Sequence, residues 1–205
     1  MHSTNAALPR LTAKGAATRR RIIEGAAAVI RESGAASATL DDIGARTATS
    51  RGQIFHYFPG GKEELLLAVA GSEASQVLED QQPYLGNLTS WQAWQGWRDA
   101  VVRRYRDQGV NCPLGVLISE LGRTTPAAQA LTAQLIERWQ SALQAGIVSM
   151  QEAGEIDRSL DARRTSAALV VAVQGGVTIL LSTGRIDHLE AALDAALASL
   201  HRSAG

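Results

Sequence analysis

Residues 39–66 read TLDDIGARTATSRGQIFHYFPGGKEELL, and this stretch decides the fold of the first part of the chain. Thr39 with acids two and three residues later is typical of a helix start. A hydroxyl can cap a free backbone N–H there, and acids are favourable at the positive end of the helix dipole. TATS then supplies a turn and a second hydroxyl cap. Ile54 and Phe58, four residues apart, predict a second short helix with one buried side, and Pro-Gly-Gly at 59–61 ends it.

Two short helices joined by a tight turn form a helix-turn-helix, whose second helix can enter the major groove of DNA. Arg51 has the donors that recognise guanine, and Gln53 has the amide that recognises adenine. The helix that begins at Lys62 offers unpaired N–H groups beside an ammonium, which favours phosphate. The pattern therefore predicts a DNA-reading surface.

The composition favours a soluble, helical protein. Apolar residues make up 45% and charged residues 20% of 205 residues, and no segment alternates as a β-strand does. Residues 1–60 carry eight Lys or Arg against four acids, whereas the remainder carries twelve against sixteen. A basic first part is what binding to a polyanion requires. We therefore expect an all-α protein with an N-terminal helix-turn-helix domain and a larger C-terminal helical domain for ligand binding and dimerisation.

Periodicity and breakers divide the chain into three parts. Residues 1–17 show no periodicity and are expected to form a flexible basic tail, before a helix that begins at about Thr18. Residues 18–62 form the predicted three-helix DNA-binding domain, with a connecting helix over 62–82. Residues 83–205 form the predicted ligand-binding and dimerisation domain, whose helices include a short one near residues 113–121.

The cellular setting follows from what the sequence lacks. Cys112 is the only cysteine, so no intrachain disulfide is possible, and a reducing compartment fits. The N-terminus has no secretory pattern, so we expect a cytoplasmic protein. Residues 165–182 carry no charge, but Gln174, two glycines and several hydroxyls favour burial in protein over membrane insertion.

Residues 18–70, TRRRIIEGAAAVIRESGAASATLDDIGARTATSRGQIFHYFPGGKEELLLAVA, resemble the DNA-binding domain of the TetR family of bacterial transcription regulators. The segments FPGGKEEL and NCPLGVLISELG are similar to the subgroup related to the LmrA and YxaF regulators. The family resemblance implies base contacts at Arg51, Gln53, Phe55 and His56. It implies phosphate contacts at Thr39, Thr49, Tyr57 and Lys62.

The resemblance also implies a homodimer in which the last two helices of each subunit form a four-helix bundle. The leucine stripe on residues 187–201 and the uncharged segment 165–182 support this, because together they leave more apolar surface than one chain easily hides. The predicted interface residues are Val173, Gly176, Val177, Leu180, Leu189, Leu193, Leu197 and Leu200. Ordinary burial within one chain is the alternative.

An apolar arc along residues 91–105 carries three tryptophans. Such an arc is most often core, and the alternative is an aromatic pocket for a small hydrophobic or aromatic effector. The residues assigned to that pocket are Trp94, Trp97, Arg98, Tyr105, Cys112, Leu117, Trp139 and Met150.

No catalytic or metal-ligand spacing is present, so we expect neither an enzyme nor a cofactor. The sequence predicts a dimeric, ligand-responsive repressor that binds a pseudo-palindromic operator of double-stranded DNA. One alternative is an activator or a co-repressor-dependent regulator on the same fold. Another is a helical protein that binds small molecules but not DNA.

Overall fold

The computed structural model describes residues 11–109, 114 and 125–201, and within these residues the regular structure is helical, without strands. The predicted all-α class is therefore confirmed, while the helix predicted near residues 113–121 lies outside the described residues apart from Leu114. In chain order the described helices are α1 (Ala13–Ser33), α2 (Leu40–Thr47), α3 (Arg51–Tyr57), α4 (Gly61–Glu79), α5 (Trp91–Gln108), α6 (Pro126–Glu152), α7 (Ala162–Thr183) and α8 (Asp187–His201).

The chain forms two compact units, Met1–Val69 and Ala70–Gly205. The division between them falls within α4. The three-part division expected from the sequence, with 62–82 as a connecting helix, stays a prediction.

Helix α1 begins earlier than the periodicity suggested. The hydroxyl of Thr12 accepts from the N–H of Gly15 at 3.2 Å, so Thr12 is the N-cap and the helix starts at Ala13 rather than near Thr18. The added turn carries no apolar period, because its residues are exposed apart from half-buried Gly15. Hydroxyl capping without burial therefore sets the start of this helix, and Gly34 ends it as the sequence predicted.

Two reciprocal capping boxes define the short helices α2 and α3. The Thr39 hydroxyl accepts from the N–H of Asp42, whose carboxylate accepts from the N–H of Thr39, each at 3.1 Å. Ser50 and Gln53 repeat the arrangement at the start of α3, with bonds of 3.2 and 2.9 Å. The hydroxyl caps predicted from the sequence are confirmed. Both helices are short, so a large share of their backbone N–H groups lies in the first turn and has no partner within the helix. The capping bonds pair some of these groups.

The core of the second unit contains most of its large side chains. Trp94, Trp97 and Trp139 are fully buried, and residues from α4 to α8 pack around them in one cluster. Trp94 and Trp97 meet edge to face with centroids 5.8 Å apart. The packing therefore supports the interpretation of the tryptophan arc as core rather than as a ligand pocket.

The eight residues predicted to form the dimer interface instead lie in this core. Val173, Leu193 and the other six are buried within a single chain, so they have no surface to offer a partner, and the prediction is wrong. Gly176 shows the reason, since a Cβ there would lie 2.6 Å from the Cα of Leu189. Its missing side chain allows α7 and α8 of one chain to pack closely, rather than two chains.

Helix α7 has a second, outward side. Val171 is 68% exposed and Ile179 is 39% exposed. Its length and a mean hydropathy of 1.7 would suffice to cross a membrane, a test that a core helix of a soluble protein also passes. Its other side packs in the core through Leu169, Val173 and Leu180. The burial in protein that we predicted for residues 165–182 therefore covers one side of the helix.

A close contact between α1 and α2 provides a stability test. A Cβ on Gly25 would lie 2.1 Å from Cγ2 of Thr47, a buried residue whose hydroxyl donates to the carbonyl of Ile43 at 2.7 Å. Alanine normally stabilises a helix interior by about 1 kcal/mol relative to glycine. Here we expect Gly25→Ala to lower the free energy of unfolding by about 1–3 kcal/mol, because overpacking outweighs that gain. Chemical denaturation measures the change.

Gly71→Ala is the matched control, since its nearest neighbour would be Cδ1 of Leu131 at 3.8 Å, an ordinary contact. This variant should be as stable as the parent or slightly more so. Equal stability of the two variants would contradict the close approach of α1 and α2.

Candidate functional site

Helix α3 has one buried and one exposed side. Ile54 and Phe58 are fully buried, whereas Arg51, Gln53 and His56 are exposed, and Phe55 is 43% exposed. The buried pair, four residues apart, fixes the rotation of the helix about its own axis. The four residues predicted to contact bases are therefore brought together on one exposed surface. We call this set, Arg51, Gln53, Phe55 and His56, the reading face.

Gln53 has a structural duty as well as an exposed position. Its Oε1 accepts from the N–H of Ser50 at 2.9 Å, which completes the capping box of α3. Its Nε2 is left as a donor on the exposed side. An adenine contact through both amide atoms must therefore share or release the cap.

Arg51 lies next to an acid that the sequence analysis did not assign. Its Nη1 is 3.7 Å from Oδ2 of Asp41 on α2, and both side chains are well exposed. This ion pair is weak on its own because water screens it. It holds the guanidinium beside the N-terminal turn of α2 while leaving most of its donors free. No periodicity or motif marks Asp41, because the pairing depends on the angle between two helices.

Three of the four predicted phosphate contacts are accessible. Thr39 is exposed at the N-cap of α2. Its hydroxyl and its N–H both bond to the Asp42 carboxyl and lower the pKa of that group, with the hydroxyl contributing most. Tyr57 is half-buried, with its ring 4.9 Å from that of His56. Thr49 is the exception, because it is 6% exposed and its hydroxyl bonds to the hydroxyl of Thr47. Its prediction as a phosphate contact is therefore withdrawn.

Lys62, the remaining predicted phosphate contact, lies at the start of α4 and is half-buried. Its Nζ donates to the carbonyl of Ala36 at 3.2 Å, in the connection between α1 and α2. The N–H of Gly60 is already bonded to the carboxylate of Glu64 at 2.7 Å. An ammonium has three donors, so Lys62 can keep its bond to Ala36 and still contact an anion.

The eight residues predicted for the effector pocket do not lie together in the structure. Trp94, Trp97, Tyr105, Trp139 and Met150 pack together in the core of the second unit. Cys112 and Leu117 lie outside the described residues. Arg98 turns away from the core, and its Nε and Nη2 donate to the carboxylate of Asp194 at 2.8 and 3.1 Å. The hydrogen bonding to Asp194 contributes most to raising the pKa of Arg98. A structural ion pair therefore replaces the predicted ligand contact.

The same core contains polar groups without partners. The indole N–H groups of Trp94 and Trp139 are buried, and no described residue accepts from them. Nε and Nη2 of Arg104 are buried donors from which no described residue accepts, and Oε1 of Gln108 is a buried acceptor to which no described residue donates. Native proteins pair most buried polar atoms, so each of these atoms needs an explanation. The sequence carries a signal for Arg104, because it continues the apolar spacing of Trp97 and Val101 with a charged residue.

Arg104 is the buried cation that the sequence analysis missed. Its side chain is 3% exposed, with Nη1 bonded to Asp80 and Nη2 3.7 Å from the carboxylate of Glu73. A guanidinium removed from water must be paired to be tolerated. The two acids supply that pairing within the second unit.

Comparisons with known proteins agree with this fold and with the helix-turn-helix. The family model described as "Bacterial regulatory proteins, tetR family" matches residues 22–69. A second model, "Tetracyclin repressor-like, C-terminal domain", matches residues 91–196. Among curated protein sequences, none matches the chain significantly.

Solved structures share the whole architecture at low identity. A TetR transcriptional regulator from Chloroflexus aurantiacus has a TM-score of 0.76 and 25% identity, covering 93% of this chain and 98% of its own. A TetR regulator from Haloarcula marismortui has a TM-score of 0.79 and 18% identity, covering 90% and 97%. SmeT, the repressor of the multidrug efflux pump SmeDEF of Stenotrophomonas maltophilia, has a TM-score of 0.67 and 19% identity, covering 93% of each chain.

The two family models together span the helix-turn-helix and most of the second unit. Residues 39–58 form the two capped helices and the exposed reading face that such a regulator needs. The chain therefore belongs to the TetR family of bacterial transcriptional regulators.

Proposed function

We propose that the protein is a homodimeric transcriptional repressor that binds a pseudo-palindromic operator and is released by a small hydrophobic or aromatic effector. The observation that carries the proposal is the reading face of α3. Its four side chains are exposed, while Ile54 within this seven-residue helix and Phe58 at its C-cap are fully buried. Burial of one side holds the helix in place, and the other side presents mainly polar groups to solvent. Such a surface suits the major groove.

Each member of the reading face offers a distinct contact. Arg51 suits guanine O6 and N7, and Nε2 of Gln53 suits adenine N7. Phe55 offers an apolar ring to a thymine methyl, and His56 offers a ring N–H to a base or phosphate acceptor. We assign the phosphate contacts to Thr39, Tyr57 and Lys62, which would position the helix without reading sequence.

The outward side of α7 is the surface that we assign to dimerisation, in place of the eight core residues. Val171 and Ile179 lie there with exposed Gly175 between them, at spacings of four residues. An apolar stripe of this kind on a helix favours packing against a second helix. Two copies related by a twofold axis would present two reading faces to the two halves of an operator.

An effector acts by binding one conformer better than another, and it shifts the equilibrium only by that difference in affinity. We place its site in the second unit, whose core contains the unpaired donors of Trp94, Trp139 and Arg104. A repressor is the reading we favour, since SmeT, of similar fold, is named as one. An activator or a co-repressor-dependent regulator on the same fold is the second candidate, distinguished by whether the effector weakens or strengthens DNA binding.

Two finer assignments belong to this proposal. We place the protein in the cytoplasm, because its operator DNA is there and its single cysteine suits a reducing compartment. We also retain the subgroup related to LmrA and YxaF as a hypothesis. Its support is the sequence FPGGKEEL, since NCPLGVLISELG, the other segment, lies outside the described residues apart from Leu114.

The DNA-binding function is tested by site selection from random duplexes, followed by titration at increasing salt. We expect one site to be preferred over random DNA by about a thousandfold or more. Affinity should fall roughly tenfold or more between about 50 and 200 mM salt, because phosphate contacts release counterions. Equal, weak binding to all duplexes would favour the alternative of a small-molecule-binding protein without DNA recognition.

Gln53 separates base reading from helix capping. Gln53→Glu keeps an acceptor for the N–H of Ser50 but removes the Nε2 donor, whereas Gln53→Ala removes both. We expect both variants to flatten the preference at one base pair of the selected site, and only Gln53→Ala to lose about 0.5–2 kcal/mol of stability. The measurement is the ratio of affinities for the selected site and its single-base variants, which cancels the general repulsion that a glutamate adds. Unchanged ratios in both variants would leave Gln53 a cap and nothing more.

Val171→Glu tests the assigned dimer surface. A carboxylate on an apolar interface loses its hydration, so we expect the dimer to weaken by about a hundredfold or more in dissociation constant. Light scattering across a dilution series measures the oligomer, and operator affinity should fall with it. Val148→Glu on α6 is the control, because Val148 is also exposed and lies on another helix. Equal dimerisation of both variants would exclude this side of α7.

A further inference from the structure

The guanidinium of Arg104 has one side bonded to Asp80 and a second side that no described residue pairs. Within the described part of the chain, Arg104 is the only charged residue that is buried. Nη1 bonds to Asp80, and the 3.7 Å from Nη2 to Glu73 is too long for a hydrogen bond. Nε and Nη2 are buried, and no described residue accepts from them.

The unpaired side is the edge that arginine uses for two parallel hydrogen bonds. In Arg98, Nε and Nη2 donate to the two oxygens of Asp194 at 2.8 and 3.1 Å. In Arg185, the same two nitrogens donate to the two oxygens of Asp187 at 3.2 and 2.7 Å. Among the described residues, that edge is paired with a carboxylate at these two more exposed arginines and not at the buried one, although burial makes the pairing matter most.

A buried acceptor lies on the same face of α5. Gln108 is four residues after Arg104, so the two side chains are neighbours on the helix surface. Its Oε1 is buried, and none of the described residues donates to it. Two buried donors and one buried acceptor are thus carried by neighbouring positions of α5. Together they would complement a molecule that presents an oxygen acceptor next to a donor.

We propose that the Nε–Nη2 edge of Arg104 binds an uncharged oxygen acceptor, such as a ketone carbonyl, of the effector, whose donor group meets Oε1 of Gln108. This inference rests on the proposed function and names the chemistry of its effector. The charge balance decides against an anion. Asp80 already balances the charge of the guanidinium, and an anionic effector would add a further carboxylate at an edge whose nitrogens are buried. A carbonyl accepts both hydrogen bonds without adding charge.

The test uses three probes with one aromatic body: 2-acetylnaphthalene, 2-ethylnaphthalene and 2-naphthoate. Isothermal titration of the full chain gives the dissociation constants. We expect the ketone to bind about tenfold more tightly than the ethyl compound, as one charge-assisted hydrogen-bond pair implies. The naphthoate should bind more weakly than the ketone.

Arg104→Lys is the informative variant, because it keeps a cation for Asp80 and Glu73 but removes the forked edge. It should lose the advantage of the ketone over the ethyl compound while binding the ethyl compound as the parent does. Arg98→Lys is the control, since its edge is already paired with Asp194, and it should keep the full advantage. Thermal unfolding of both variants checks that each is folded.

Each other outcome overturns the inference. Equal binding of ketone and ethyl compound by the parent would mean that an ordered water alone pairs with Arg104. Tightest binding of the naphthoate would reverse the assigned charge, and an equal loss in Arg98→Lys would remove the role of Arg104. Absence of binding by all three probes, with site-selective DNA binding intact, would overturn the inference and leave the proposed function standing. Loss of DNA selectivity in the parent would instead refute the proposed function itself.

Discussion

The burial of Ile54 and Phe58 is the constraint on which the DNA-binding surface depends. A helix of seven residues is unstable alone, because nucleation costs more than its few hydrogen bonds return. Tertiary burial of one side, together with the capping box of Ser50 and Gln53, stabilises it. Since the two buried residues fix the rotation of α3, they also determine which side chains face outward. Fold stability and DNA recognition are thus set by opposite sides of the same two turns.

Gln53 shows how closely the two requirements are coupled. The same amide group closes the helix and belongs to the reading face, so any base contact through Oε1 competes with the cap. Arg51 is in a comparable position through its ion pair with Asp41. In both cases the free protein pairs part of the side chain internally. Binding to DNA would exchange one partner for another, which favours sites that offer good geometry over sites that offer only charge.

The second unit combines a well-packed core with a small number of unsatisfied polar groups. Three tryptophans are its largest fully buried side chains, while Arg104 and Gln108 keep atoms that no described residue pairs. A core selected for stability alone would replace such atoms by apolar ones. Their retention fits a region that must accept a ligand, and this contrast supports placing the effector there.

The helical class, the capped helix-turn-helix and the exposed residues of α3 could be predicted from the sequence, because they follow from local spacing and from short-range hydrogen bonds. The pair Ile54 and Phe58 and the caps at Thr39 and Ser50 needed no partner segment to be recognised. Helical periodicity also identified the leucine stripe of α8 and the tryptophan arc of α5. It could not say what covers an apolar face, since a neighbouring helix and a second subunit leave the same pattern.

The packing of the folded chain places Leu189 and Leu193 in the core, buries Thr49, pairs Arg98 with Asp194 and leaves Val171 exposed. Each of these outcomes depends on contacts between residues far apart in the chain, which local spacing does not encode.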